Sequence, residues 1–293
     1  NNDTDVDETR GLSSISGITY SIKDTSANLL TGLGRSDKAD LTSATEVWLG
    51  DASTISVANY NTFQTNLGSK FKFHDHDASS TTDGVYYLKD SVDNFLNAGG
   101  TIVSGAYRTG STNLVVEDTY ANLKTNDGLA SLTLAFGDTD LDVVVSDTNL
   151  TKAQFDEIDA LNGSGTITYD LSDAKTGIFA SASSASYSGT SVAVAQATTV
   201  TITDAINHAQ AAAINTTRSD LNEVTFDLND SSTNIFSGNA LANSTVVEKA
   251  ANVIITGNTN ATQATAVNTA RSDLNEVTFS TLLDTAAALG ANT

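Results

Sequence analysis

The tetrapeptide "HDHD" at 74–77 is the densest group of metal-ligating side chains in this chain. On an extended backbone side chains alternate, so His74 and His76 share one face and Asp75 and Asp77 the other. The imidazole pair suits a transition metal. The carboxylate pair, with Asp83 nearby, suits a hard cation such as Ca²⁺. His74, Asp75, His76, Asp77 and Asp83 are therefore the candidate metal ligands, and a polar loop is the competing reading. The remaining histidine, His208, lies in the Ala/Gln-rich run "HAQAAAI". Neighbouring Ser and Asp residues could complete a hydrolytic triad with it, but no G-x-S-x-G sets a serine on a strained turn. This run reads as a solvated helix, and the expectation is that the chain is not an enzyme.

A second set of carboxylates recurs at nearly constant spacing. Asp24, Asp51, Asp90, Asp118, Asp147, Asp173, Asp204, Asp230 and Asp284, with Asn258 in the same series, each follow a short β-branched or aromatic run. Successive separations are 27, 39, 28, 29, 26, 31, 26, 28 and 26 residues. Such an Asp suits a helix N-cap, where its carboxylate accepts backbone N–H groups and is favoured by the helix dipole. The alternative is a carboxylate ladder that chelates Ca²⁺ between rungs. Like charges stacked about 5 Å apart need either a counterion or hydrogen-bond donors.

The elements around these residues fall into two varieties. A short variety includes "ITYSIKDTSANLL" (18–30), "ITYDLSDAKTGIF" (167–179) and "VTFDLNDSSTNIF" (224–236). A long variety includes "VTITDAINHAQAAAI" (200–214) and "VIITGNTNATQATAV" (253–267). The nonapeptide "RSDLNEVTF" occurs at 218–226 and again at 271–279, an offset of 53 residues, which is one unit of each variety. Alternation in "ITYDL" and "VTFDL" marks half-buried strands. Strands joined through helices run parallel with right-handed crossovers.

The pattern thus predicts an α/β fold: a parallel β-α solenoid of about ten strand-turn-helix rungs of roughly 27 residues, leucine-rich-repeat-like in shape. Tyr20, Trp48, Tyr86, Val115, Val144, Tyr169, Ile202, Phe226, Ile254 and Phe279 are the expected strand residues, most of them facing the hydrophobic seam. Thr19, Thr168, Thr201, Thr203, Thr225 and Thr278 are expected on the open sheet face. Residues 1–14 read as a flexible acidic leading segment and 15–293 as a single repeat solenoid. An irregular insertion is expected near 68–84, as an extra strand or a loop, and an uncapped last rung.

Composition narrows the partners. The 293 residues carry a net charge of -21, which argues against nucleic acid and anionic membrane surfaces. There is no Pro, Cys or Met, so disulfides and thiol chemistry are excluded. No run is long and apolar enough to span a membrane. Asn-x-Ser/Thr triplets, among them those beginning at Asn2, Asn149, Asn215, Asn243 and Asn260, match the N-glycosylation pattern in a chain rich in these residues.

Units such as "YSIKDTSANLL", "VTITDAINHAQAAAI" and "VIITGNTNATQATAV" resemble the repeat regions of very large bacterial extracellular proteins, common in cyanobacteria, of surface-layer-like or adhesin-like type. The resemblance covers roughly residues 18–290. It implies a structural or adhesive role at the cell surface and brings no catalytic residues with it. The expected function is a surface protein that self-assembles head to tail into a lattice or filament. The alternatives are an adhesin module that binds cell-surface polysaccharide, and a phage fibre or decoration protein.

Overall fold

The computed structural model describes residues 3–4, 11–35, 38–50, 55–72, 87–97, 113–124, 129, 132, 141–147, 149–272 and 274–283. The fold is mixed α/β. Among these residues, twelve helices alternate with strands that pair in parallel over several small sheets, where the spacing predicts one long sheet. The chain divides into two compact units, Asn1–Val144 with Asn162–Thr166, and Val145–Leu161 with Ile167–Thr293.

In the first unit, strands Asp3–Thr4, Ser21–Asp24, Glu46–Leu49 and Phe71–Lys72 lie side by side in parallel. Helices Ser26–Gly34, Lys38–Ser43 and Val57–Leu67 form the connections. Ile22, Val47, Leu49 and Phe71 point into the core, and Phe63 of the third helix stacks on Phe71 with ring centroids 4.6 Å apart. Strand Phe71–Lys72 is the fourth strand of this sheet, and residues 73–84 of the expected insertion lie outside the described residues. Part of the leading segment is built into the unit: Asp3–Thr4 pairs with Ser21–Ile22, and Leu12–Ser14 forms a 3₁₀ turn. Strands Tyr87–Asp90 and Asn113–Asp118 make a further parallel pair, each followed by a short helix, Val92–Asn97 and Tyr120–Lys124.

In the second unit two strands of the short variety are bent, whereas Val277–Leu282 runs unbroken. Ile167–Thr168 and Leu171–Asp173 are separated by Tyr169 and Asp170, and Val224–Thr225 and Leu228–Ser231 by Phe226 and Asp227. The first half pairs with the preceding rung, Val224 with Val200, and the second half with the following one, Leu228 with Val253, while Leu228 also bridges Ile206. This switch of register divides the parallel stack into small sheets. Tyr169 and Phe226, at the bends, are 3% and 1% exposed and fill the seam.

The short rungs are also more elaborate than a strand, a helix and a return loop. After helix Lys175–Ile178, Phe179 bridges antiparallel to Tyr187, and a second helix follows at Val192–Gln196. The next short rung repeats this with helix Ser232–Ile235, an antiparallel pair Phe236–Ser237 with Ala240–Leu241, and helix Ser244–Lys249. The hydrophobic pairs Ile178–Phe179 and Ile235–Phe236 are buried where helix gives way to hairpin.

The expected seam residues divide. Val115, Tyr169, Ile202 and Phe226 are buried as predicted, and Tyr86 lies outside the described residues. Trp48, Val144 and Ile254 stand on the opposite side, because Val47 with Leu49, Val143 with Val145, and Val253 with Ile255 take the core positions. Thr19, Thr168, Thr203, Thr225 and Thr278 are exposed as expected, and Thr201 is half-buried.

Candidate functional site

The recurrent aspartates share one hydrogen-bond geometry. Asp24, Asp90, Asp118, Asp173 and Asp230 each accept the backbone N–H of the next residue on Oδ1, at 2.7–2.9 Å. In four of them Oδ1 also accepts Nδ2 of the asparagine four residues on, Asn28, Asn94, Asn122 or Asn234, at 2.6–2.8 Å. Behind Asp173 that place is taken by Gly177, where a Cβ would come within 2.4 Å of the carboxylate.

The second oxygen reaches a different rung. Oδ2 of Asp90, Asp118, Asp173 and Asp230 accepts the N–H of Val57, Val92, Lys152 and His208, at 2.9–3.1 Å. Each donor is the first residue of the preceding rung's helix, where backbone N–H groups lack intrahelical partners. The carboxylate therefore joins two rungs and sits at the positive end of the earlier helix.

This corrects the expectation that these aspartates are N-caps. The caps are the residues after them: Thr25, Ser91 and Thr119 accept the N–H of Asn28, Asn94 and Asn122. In the long variety the caps lie further on, at Ser56, Thr151, Asn207 and Asn260. Asp51 and Asp284 lie outside the described residues.

A second carboxylate, three to five residues earlier in the strand, bonds forward. Asp142, Asp170 and Asp227 accept the backbone N–H of Thr166, Thr199 and Asn252, at 3.1–3.2 Å. The side chains of Thr199 and Asn252 add bonds of 2.7 Å each. Asp170 and Asp227 sit at the strand bends, so their carboxylates hold the following rung where the ladder is interrupted.

The twin nonapeptide has a matching role. Arg218 Nη1 donates to the carbonyls of Val194 and Ala197 at 2.9 and 2.7 Å, and Nη2 to that of Thr198 at 3.3 Å. Arg271 repeats the clamp on Val247, Ala250 and Ala251 at 2.9, 2.6 and 3.3 Å. These carbonyls end helices Val192–Gln196 and Ser244–Lys249, where a cation is favoured. Ser219 and Ser272 follow with φ of 68°, the left-handed conformation that turns the chain into the next strand.

The long helices carry a third device. Asn207–Gln210 and Asn260–Gln263 are reciprocal capping boxes. Gln210 Nε2 also donates to the Ser184 carbonyl at 2.9 Å, and Gln263 Nε2 to that of Gly238 at 2.8 Å. Both acceptors lie in the hairpin of the preceding short rung.

The predicted metal cluster His74, Asp75, His76, Asp77 and Asp83 lies outside the described residues. Among the described residues no group of three or more His, Cys, Asp or Glu side chains is placed to hold a metal ion. Both oxygens of Asp90, Asp118, Asp173 and Asp230 accept N–H donors, which stabilise these carboxylates.

His208 is half-buried at the start of its helix, against the expectation of a solvated residue. Burial lowers its pKa below the usual imidazole value, opposed by the nearby Asp230 carboxylate, and its Nε2 is buried with no partner. Tyr169 is pushed upward, chiefly by burial, and its hydroxyl donates to the Ala193 carbonyl at 2.5 Å. Asp40 is buried, yet its pKa is lowered: burial raises it, but hydrogen bonds from Ser13 and from the Gly11 N–H outweigh that. Its carboxylate receives the N–H groups of Gly11 and Ser13 at 2.9 and 2.8 Å and anchors the 3₁₀ turn. Of the glycosylation-pattern asparagines, Asn243 and Asn260 are helix caps, Asn215 lies within a helix and Asn149 is exposed.

The D-[S/T]-x-x-N spacing is visible in the sequence and would have located four of the five carboxylates of the first set. The arginine clamp carries no such signal, because its acceptors are main-chain carbonyls. Comparison with protein-family models, with curated proteins and with solved structures found no match in any of the three.

Proposed function

We propose that this chain is a structural segment of an extracellular surface assembly, a β-α solenoid of about ten rungs that packs into a lattice or filament. The carrying observation is the recurrence of one set of rung-to-rung bonds. Asp Oδ2, the forward carboxylate, the arginine clamp and the capping glutamine all use their polar groups on neighbouring rungs of the same chain. A repeat whose charged and amide side chains are spent on stacking is suited to bearing shape and load. With a net charge of -21, side-by-side contacts between copies require screening or bridging cations. Electron microscopy of the purified chain tests this. Filaments or sheets that thicken with Ca²⁺ and thin with a chelator are expected, and monodisperse particles in both conditions would refute it.

One observation favours adhesion as a second reading. Lys23, Trp48 and Lys72 are register partners on three adjacent strands and share the outward rank. An indole flanked by two ammonium groups suits an acidic saccharide through stacking and charge. Trp48 is the only tryptophan, so its fluorescence reports this rank directly. A saturable change on titration with a uronic-acid polysaccharide, lost in Lys23→Ala/Lys72→Ala, is the outcome that reading requires.

A further inference from the structure

The first residues of four helices occupy one kind of seat, each with its N–H on an aspartate Oδ2 of the following rung: Val57, Val92, Lys152 and His208. The seat is closed to water. Val57, Val92 and Lys152 are 3–4% exposed, and Ala261, which begins the later long helix, is 6% exposed. Apolar side chains suit such a seat. Lys152 is a cation, and it is held there because Asp156, one helical turn on, accepts from its Nζ at 2.7 Å.

His208 brings an ionisable ring to this seat without that counterion, since the residue four positions on is Ala212. Nε2 of the ring is buried and has no partner. A proton there would place an N–H without an acceptor at the positive end of an 11-residue helix. Among the described residues, the elements packed against this helix bring few charges. Asp230 lies on strand Leu228–Ser231, and helix Ser244–Lys249 carries Glu248 and Lys249, which pair with each other at 3.4 Å. Helices Val192–Gln196 and Ser232–Ile235 carry none. The Lys175 ammonium is fixed on the Ala205 carbonyl at 2.8 Å, and the Tyr187 hydroxyl is bonded to that of Thr217 at 3.0 Å. Asp230 favours the charged ring, and burial outweighs it.

The same helix start holds the hairpin of the preceding short rung. Gln210 Nε2 donates to the Ser184 carbonyl at 2.9 Å, and Asn207 Nδ2 to that of Ser183 at 3.2 Å. We propose that this junction is an acid-operated latch: a proton on His208 drives the helix start out of its seat, breaks the His208 N–H bond to Asp230 and frees the hairpin Phe179–Tyr187. The later copy has Asn260, Ala261 and Gln263 in the same places and stays shut. Mild acid thus loosens one surface hairpin and leaves its twin in place. The latch works within a single chain and is independent of self-assembly.

Hydrogen exchange read by mass spectrometry on the full chain compares the two junctions in one sample. Between about pH 7.5 and about pH 5, either side of the ordinary imidazole value, protection of residues 181–187 and 207–211 should fall several-fold relative to that of 236–241 and 260–264. His208→Ala, checked for native circular dichroism, should remove the difference. Ala212→Asp should shrink it, by giving the imidazolium the counterion that Asp156 gives Lys152. A ratio that does not move with pH in the unsubstituted chain would overturn the proposal. So would a loss of protection that persists in His208→Ala. A difference undiminished in Ala212→Asp would overturn the role of the missing counterion.

Discussion

Residues 200–231 and 253–283 share the nonapeptide and half of the positions before it, in two settings. Four devices are reproduced in both: the arginine clamp, the capping box, the glutamine bond to the preceding hairpin, and the left-handed serine. What points toward the following rung differs, because strand Val253–Thr259 covers the earlier copy. In this pair the clamp and the glutamine bond come from the rung before, and the apolar burial from the rung after. The two contributions come from different neighbours and separate experimentally.

The largest effect should come from the burial side. Phe226→Ala deletes a fully enclosed ring and should cost about 3–5 kcal/mol. Phe279→Ala, at a half-buried site, should cost less than about half of that, and denaturant melts of the two variants measure the gap. Equal losses would mean that the later copy is as well covered as the earlier one.

The clamp should behave in the opposite way. Arg218→Ala and Arg271→Ala each leave three helix-end carbonyls without their cation, and each should cost about 2–3 kcal/mol. The two losses should match, since both arginines reach backward to complete rungs. Arg→Lys at either site should recover only part, because one ammonium cannot span three carbonyls as a planar fork does.

The smallest effect distinguishes the copies by pH. His208 opens the earlier long helix and Ala261 the later one. With the folded pKa of His208 below its unfolded value, the unfolded chain binds the extra proton. Stability is then full above about pH 6.5 and declines as pH falls toward the folded value. His208→Ala, which imports the residue of the later copy, should flatten the Tm profile between neutral and mildly acid pH. An unchanged slope would assign it to other groups. Asp40 contributes in a lower window: its depressed pKa gives stability that is present above the ordinary carboxylate range and lost on further acidification.

Much of this repeat was legible in the sequence. The spacing of the aspartates, the two varieties of unit and the parallel pairing follow from periodic patterns that any reader of the chain can count. Inward and outward sides were legible in "ITYDL" and "VTFDL", where polar residues set the phase. They were not in "VWL", "VVV" and "VII", where three apolar residues in a row leave the phase open and Trp48, Val144 and Ile254 turned outward. The bends at Tyr169 and Phe226 were hidden because an aspartate inside a strand looks the same whether it faces solvent or accepts from the next rung. The hairpins after Phe179 and Phe236 were hidden for another reason: their Ser- and Asn-rich sequences resemble any return loop.

The identity of the two nonapeptides also governs how the chain can change length. Removing residues 219–271 would join Arg218 directly to Ser272 and restore the same nine letters, with each backward bond meeting an equivalent acceptor. Removing a single rung would set an arginine against a hairpin and a glutamine against a helix end. Growth and shrinkage are therefore quantised in steps of 53 residues, and the repeated peptide is the seam at which a step can be added or withdrawn without leaving a scar.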